Sequence, residues 1–191
     1  VYLNETMSPG LMEQFPGIRS YDGVATNSSG EVVKLDLTPQ GFHAMILVPG
    51  ASTIFIDPYQ HGIEHPKHYI VYSTAHFQTN KLFSCDYEPI DGQLIPEPVS
   101  LMNSIGNCTK RTYRLALAAT GEYTVFHGGT AALAQAAQVT TINRVNGVYM
   151  RDLAITFTII PNNSLLIYTN ASTDPYTNGN ASAMLSQNQS N

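Results

Sequence analysis

One stretch in the second half of the chain constrains the fold more than any other. Residues 113–119 alternate between two faces, the second only lightly polar, as in a strand covered on both sides. Thr130 can then cap a helix that ends near Arg151 or Asp152, and the continuous apolar run 153–160 follows directly. Strand, helix and strand at this spacing predict a right-handed crossover between two parallel strands.

The first half has a different pattern, which predicts antiparallel strands. Residues 31–37 place Val33, Leu35 and Leu37 on one face and charged side chains on the other, as in a half-buried strand. Three further apolar or aromatic runs follow, at residues 41–48, 53–56 and 69–72. Gly or Pro punctuates the turns between them, which is typical of a small β-rich unit.

A segment rich in proline separates the two patterns. Pro89, Pro96 and Pro98 fall among polar residues with little periodicity, so we interpret residues 88–110 as a linker. We therefore expect a β-rich unit at residues 1–87 and an incomplete α/β unit at residues 111–191. The fold class is then α+β overall.

Charge and hydropathy narrow the possible partners. Only 12% of the 191 residues are charged, and the net charge is −5, with basic residues scattered singly. This distribution argues against nucleic-acid binding, and no apolar run is long enough to span a membrane. We expect a soluble protein. The chain opens at Val1 and closes at Asn191 in a polar stretch, so we also expect a segment of a longer protein.

Four of the six histidines lie between His61 and His76, and part of this group resembles a zinc motif. His61, Glu64 and His65 fit the H-x-x-E-H pattern, with His68 three residues further on. Zinc chemistry requires the two histidines one turn apart on a helix. Pro66 disfavours that conformation at His65, so we expect a solvated loop, with His61, His65 and His68 as weak adventitious metal ligands.

The two cysteines flank most of the linker. Cys85 precedes it and Cys108 lies near its end, so they can form a disulfide or remain as two thiols. An alternative is a latency switch, in which the Cys85 thiolate occupies the open position of a catalytic zinc. Asp86 and Glu88 disfavour a thiolate at Cys85, so metal binding would have to drive its deprotonation.

Two other groups of residues have weaker functional interpretations. Glu122 and His127 follow the first α/β strand, where sheets often carry sites, although single residues there are usually structural. Asn-x-Ser/Thr sequons are glycan acceptors in a secreted eukaryotic protein, and in so polar a chain they can also arise by composition. They begin at Asn4, Asn27, Asn107, Asn162, Asn170, Asn180 and Asn188.

Three passages give the second half a family resemblance: RTYRLALAATGEY at residues 111–123, NRVNGVY at residues 143–149 and LIYTNASTDPY at residues 166–176. They resemble the start of the catalytic domain of bacterial reprolysin-like zinc metallopeptidases, of the metzincin group. GFHAMI at residues 41–46 similarly resembles the β-rich pro-region that precedes this domain. The resemblance implies a secreted zymogen that is cut near Lys110 and Arg111 and acts on protein or peptide substrates.

The family's zinc motif, HExxHxxGxxH, does not occur in the sequence: the last histidine, His127, precedes Gly128 and Gly129. The resemblance therefore implies zinc in the complete protein, none bound by this segment, and no hydrolysis by this segment alone. It also implies a pro-region that binds its own catalytic domain. The alternative is a non-enzymatic extracellular module, either a β-rich binding domain or an inhibitory pro-domain.

The incomplete sheet also has a consequence for stability. Half of an α/β sheet exposes an unpaired parallel edge, and unpaired edges promote aggregation. We therefore expect the segment alone to aggregate or to stay partly unfolded beyond Arg111.

Overall fold

A computed structural model describes residues 1–27, 29–60, 62, 64–77 and 109–191. The described residues up to 77 are called the N-terminal unit below, and residues 109–191 are called the C-terminal unit. The fold is α+β, as expected. An antiparallel sheet forms most of the N-terminal unit, and a small parallel sheet with helices forms the C-terminal unit.

The N-terminal sheet has six strands in sequence order, and each pairs antiparallel with the next. These strands are β1 (Tyr2–Leu3), β2 (Arg19–Val24), β3 (Val32–Thr38), β4 (Gly41–Leu47), β5 (Ile54–Pro58) and β6 (Tyr69–Ser73). The last four correspond to the predicted runs. Strands β1 and β2, and the short helix α1 (Pro9–Gln14) between them, were not predicted.

The C-terminal unit contains the predicted crossover. Its elements are β7 (Arg111–Leu115), α2 (Gly121–Phe126), α3 (Ala131–Leu153), β8 (Ile155–Ile159), a 3-10 helix (Asn163–Leu166) and α4 (Ala181–Ser190). Strands β7 and β8 are parallel. Thr130 caps α3 by accepting a hydrogen bond from the Leu133 N–H at 3.2 Å. The first strand ends at Leu115 rather than at residue 119, where Ala119 forms only an isolated bridge with Ile167, and the short helix α2 that follows was not predicted.

Helix α3 lies between the two sheets and joins them. It contacts β2, β3 and β4 on one side and β8 on the other. Its Ala136, Val139 and Ile142 form one buried cluster with Ile159 of β8 and with three N-terminal side chains. Those three are Met7, Leu11 and Ile18. The two units therefore share one hydrophobic core. Each fully buried Val, Leu, Ile or Met side chain in it contributes about 1.5–3 kcal/mol.

Strand β3 buries the face that its sequence makes polar. Lys34 and Asp36 are only 6% and 1% exposed, whereas Leu37 on the other face is 49% exposed. The reason is that α3 packs against the charged face and supplies polar partners there, which are described below. Hydrophobic alternation therefore locates this strand correctly and does not reveal which face α3 covers.

The outer edge of β8 is covered, whereas β7 has no second strand partner among the described residues. The Ile159 N–H donates to the Thr6 carbonyl at 2.8 Å, and the Ser8 N–H donates to the Ile159 carbonyl at 3.1 Å. Met7 thus forms a parallel bridge with Ile159. The N-terminal strap, residues 2–8, pairs through β1 with the large sheet and through Met7 with the small one.

Candidate functional site

The NRVNGVY passage, residues 143–149, lies on the part of α3 that contacts the N-terminal unit. Asn143 is fully buried there. Its side-chain N–H donates to the Leu35 carbonyl at 3.0 Å, and its side-chain oxygen accepts from the Asn4 amide at 2.8 Å. One amide therefore binds both the N-terminal strap and strand β3.

Asp36 is the buried charge that α3 covers. The Thr140 hydroxyl donates to Asp36 Oδ2 at 2.7 Å, and Asn143 Nδ2 approaches Oδ1 at 3.4 Å. His43 Nδ1 lies 3.0 Å from Oδ2, which is ion-pair distance, but it is out of line for a hydrogen bond. Buried carboxylates need such partners, so this arrangement fixes the position of α3 on the sheet.

Arg144 and Asp57 form an ion pair between the units, beside the buried network. Arg144 Nη2 lies 2.5 Å from Asp57 Oδ1, and the guanidinium carbon lies 5.1 Å from the centre of the Phe55 ring. The Tyr72 hydroxyl donates to Asp57 Oδ2 at 2.8 Å. Burial, followed by the hydrogen bond and the charge of Asp57, raises the pKa of Tyr72 to about 12.

Gly147 allows α3 to approach the sheet closely. A β-carbon at this position would lie 2.5 Å from Met45 Cε and 2.9 Å from Lys34 Cγ. The Lys34 ammonium is held in place by Asp22 at 2.6 Å. The side chain of any other residue would therefore displace the helix or these neighbours.

Asn146 completes the cover over the edge of β8. Its amide oxygen accepts from the Phe157 N–H at 2.7 Å, and its amide nitrogen donates to the Phe157 carbonyl at 2.9 Å. The same nitrogen lies 3.2 Å from the Thr6 hydroxyl. The backbone N–H and C=O groups of Phe157 and Ile159 on the outer edge of β8 thus all have partners, Phe157 from Asn146 and Ile159 from the N-terminal strap.

The other two sequence passages contact each other within the C-terminal unit. The Gly121 N–H donates to Asp174 Oδ2 at 2.7 Å, and the hydroxyl of Thr124, the residue after the first passage, donates to the Tyr168 carbonyl at 2.6 Å. A β-carbon on Gly121 would lie 2.1 Å from the Ala171 nitrogen, so only glycine fits. The three passages thus have two structural tasks, one internal and one at the contact with the N-terminal unit.

Residues 109–191 match the family model described as Metallo-peptidase family M12B, Reprolysin-like. These residues are similar in sequence to that family and are called the reprolysin-like segment below. The match covers less than half of the chain, and the N-terminal unit lies outside it. No curated protein and no solved structure matches the chain significantly.

The histidines of the H-x-x-E-H pattern lie outside the reprolysin-like segment. Glu64, His65 and His68 lie between β5 and β6 without forming a helix, and His65 has a left-handed backbone with φ 54°. His61 lies outside the described residues, as do Cys85 and Cys108. Across the described ranges, no group of three or more His, Cys, Asp or Glu side chains is placed to hold a metal.

The remaining candidates flank or belong to the reprolysin-like segment. Glu122 is exposed on α2, and His127 ends that helix, where its carbonyl accepts from Gln40 Nε2 at 2.8 Å. The Lys110 ammonium lies 3.4 Å from Glu5. Arg111 begins β7, and its N–H donates to the Ala154 carbonyl at 2.9 Å. His127 also lines a cavity together with His43, Asp57 and Arg144.

The sequons differ in accessibility. Asn4 is buried in the polar network, so it is not available to carry a glycan in the folded chain. Asn107 lies outside the described residues. The other sequon asparagines are exposed, at positions Asn27, Asn162, Asn170, Asn180 and Asn188.

The sequence gives little indication of which residues build the contact between the units. Asn143 and Asn146 were noticed only as part of a family passage, and Asn4, Thr6 and Asp36 carried no signal as partners. Chemically, the described contacts allow one unit to recognise the other.

No helix in the described part of the chain is long and apolar enough to cross a membrane.

Proposed function

We propose that the chain is the N-terminal segment of a secreted zinc metalloendopeptidase zymogen. The observation that carries the proposal is the match of residues 109–191 to the M12B reprolysin-like model. In this proposal the reprolysin-like segment begins the catalytic domain, the N-terminal unit is its pro-region, and residues 88–110 are the linker between them. The substrates of the complete protein are proteins or peptides.

The contacts of α3 support a pro-region that binds its own catalytic domain. Asn143, Arg144 and Asn146 each bond to an N-terminal residue, and Met7 lies within the shared core. These contacts give the proposed pro-region a defined docking surface on helix α3 of the proposed catalytic domain.

The described residues do not fit a zinc site, because no three of their potential ligands converge. We therefore assign the zinc of the complete protein to residues other than these and derive no catalytic step from this chain. The segment alone is expected to bind no catalytic zinc and to hydrolyse no peptide bond.

The test is to express the complete gene product and the present segment in parallel. We expect the complete product to contain zinc and to degrade an unfolded protein substrate, with activity lost on adding a chelator and restored by zinc. The segment is the matched inactive control. A complete product without zinc or peptidase activity would favour the non-enzymatic extracellular module.

Maturation is proposed to occur next to Lys110. The Arg111 N–H is hydrogen-bonded within the small sheet, so Arg111 belongs to β7. A cut between Lys110 and Arg111 would leave this strand complete, with Arg111 as its first residue. N-terminal sequencing of the mature enzyme checks this assignment, and a mature chain beginning far beyond Arg111 would contradict it. Lys110→Gln should slow maturation if the processing enzyme recognises a basic residue.

Cys85 stays a candidate for the latency switch. If its thiolate blocks the catalytic zinc, Cys85→Ala in the complete protein should speed the appearance of activity. Time courses of substrate hydrolysis measure this, with Cys108→Ala as the matched control. Equal rates for wild type and Cys85→Ala would remove Cys85 from that role.

A further inference from the structure

Two clusters hold most of the buried apolar side chains of the described residues. One lies wholly within the C-terminal unit, around Ala119, Ala134 and Ile167. The other is the shared core, to which Met7, Leu11 and Ile18 contribute from the N-terminal side. Of these two clusters, the N-terminal unit takes part only in the one that α3 completes, and buried Met45 and Leu47, outside both clusters, lie beside Gly147 of α3. The burial of these N-terminal side chains therefore depends on the C-terminal unit.

The C-terminal unit depends on the N-terminal unit in turn. Without the N-terminal strap, the backbone of Ile159 loses both hydrogen-bond partners on the outer edge of β8. Val139 and Ile159, now fully buried, lose their cover from Leu11 and Met7. An uncovered strand edge beside an exposed apolar patch is a poor surface for a free soluble domain.

Polar contacts add specificity to this apolar interface. Separation of the units would leave Asp36 without Thr140, Asn143 without Asn4, and Asp57 without Arg144. Buried groups that lose their partners carry a desolvation penalty until water reaches them. Both the apolar and the polar contacts therefore oppose dissociation.

We propose that a cut between the two units does not release the N-terminal unit, and that the product is a stable two-chain protein. The N-terminal unit is then a permanent partner that supplies part of the core and the edge strand beside β8. The proposal rests on the proposed function only in assuming that a maturation cut occurs. Its test uses an added protease, so its failure would leave the peptidase assignment untouched.

The experiment inserts the recognition sequence of a site-specific protease directly before Thr109 in the otherwise complete chain. After complete cleavage, we expect both fragments to elute together at the volume of the uncut chain, and native mass spectrometry to show a 1:1 complex. Denaturant should be required to separate them. Separate elution in native buffer, or precipitation of one fragment while the other stays in solution, would overturn the proposal.

A matched pair of leucine variants tests whether the described interface is responsible. Leu11 is completely buried in the shared core, whereas Leu37 is half exposed on the face of β3 opposite Lys34 and Asp36. In the cut protein, Leu11→Ala should raise the dissociation constant by about 30-fold or more, and Leu37→Ala should change it by less than about threefold. Equal effects of the two variants would contradict the assignment.

Arg144→Ala is the second variant, in case Leu11→Ala prevents folding of the uncut chain. It removes the ion pair with Asp57 and leaves the apolar cluster intact. We expect the dissociation constant of the cut protein to rise about threefold to tenfold. The difference from wild type should diminish as salt is added, because salt screens the charge contribution. An effect of zero at low salt would overturn the role of this face of α3.

Discussion

Helix α3 meets the N-terminal unit through two contacts of opposite chemistry. On one, Val139 and Ile142 pack with Leu11 and Met7. On the other, Thr140, Asn143 and Arg144 bind the polar groups of strands β3 and β5. The apolar contact tolerates small rotations of the helix, whereas the polar contact requires defined hydrogen-bond geometry. The apolar residues of α3 thus hold the two units together, and its polar residues fix the position of the helix on the sheet.

The apolar contact should give the largest loss of stability when it is truncated. Ile159→Ala removes a fully buried side chain from the shared core and should lower the free energy of unfolding by about 3 kcal/mol. Denaturant titration of the intact chain measures this. The matched control is Ile70→Ala on β6, where the side chain is 42% exposed, and its cost should stay below about 1 kcal/mol. Equal costs would mean that the shared core is not the main attachment.

The polar contact should give a smaller but specific loss. Asn143→Ala removes the hydrogen bonds to the Leu35 carbonyl and from the Asn4 amide in a buried site and should cost about 2 kcal/mol. Exposed Asn188→Ala is the control and should be nearly neutral. Combining Asn143→Ala with Asn4→Ala should cost less than the sum of the two single changes, because both remove the same hydrogen bond. Strict additivity would show that the bond contributes nothing.

The smallest effect concerns the pH dependence of the polar contact. The pKa of Tyr72 is raised to about 12, from an ordinary value near 10. The unfolded chain therefore releases this proton first as the pH rises. The stability that Tyr72 contributes is complete below about pH 10 and is lost as the pH rises through about 12.

Unfolding titrations between pH 9 and pH 12 on wild type and Tyr72→Phe check this. The stability difference between the two proteins should shrink across that interval. Tyr59→Phe, at an exposed tyrosine outside this contact, serves as the control for general alkaline unfolding. A constant difference between wild type and Tyr72→Phe would exclude Tyr72 from the pH response.

The same contrast explains which features could be predicted from sequence. The cap at Thr130, the apolar residues of β8 and the alternation in β3 are local signals, and the structure contains the corresponding helix and strands. The buried face of β3 depends on Thr140 and Asn143, which are distant in sequence and unremarkable as residue types. Asn4 carries even less signal, because its partners lie on two other elements, β2 and α3.

The N-terminal strap has a consequence for how the chain must fold. Asn4 reaches Asn143, and Thr6 reaches Asn146, across separations of 139 and 140 residues. Contacts between residues so far apart require closure of a long loop, and they slow folding because chain entropy is lost before the contact forms. During synthesis, the N-terminal strap must therefore wait for α3 and β8 to emerge from the ribosome. The strap makes completion of the N-terminal unit depend on synthesis of the chain as far as Ile159.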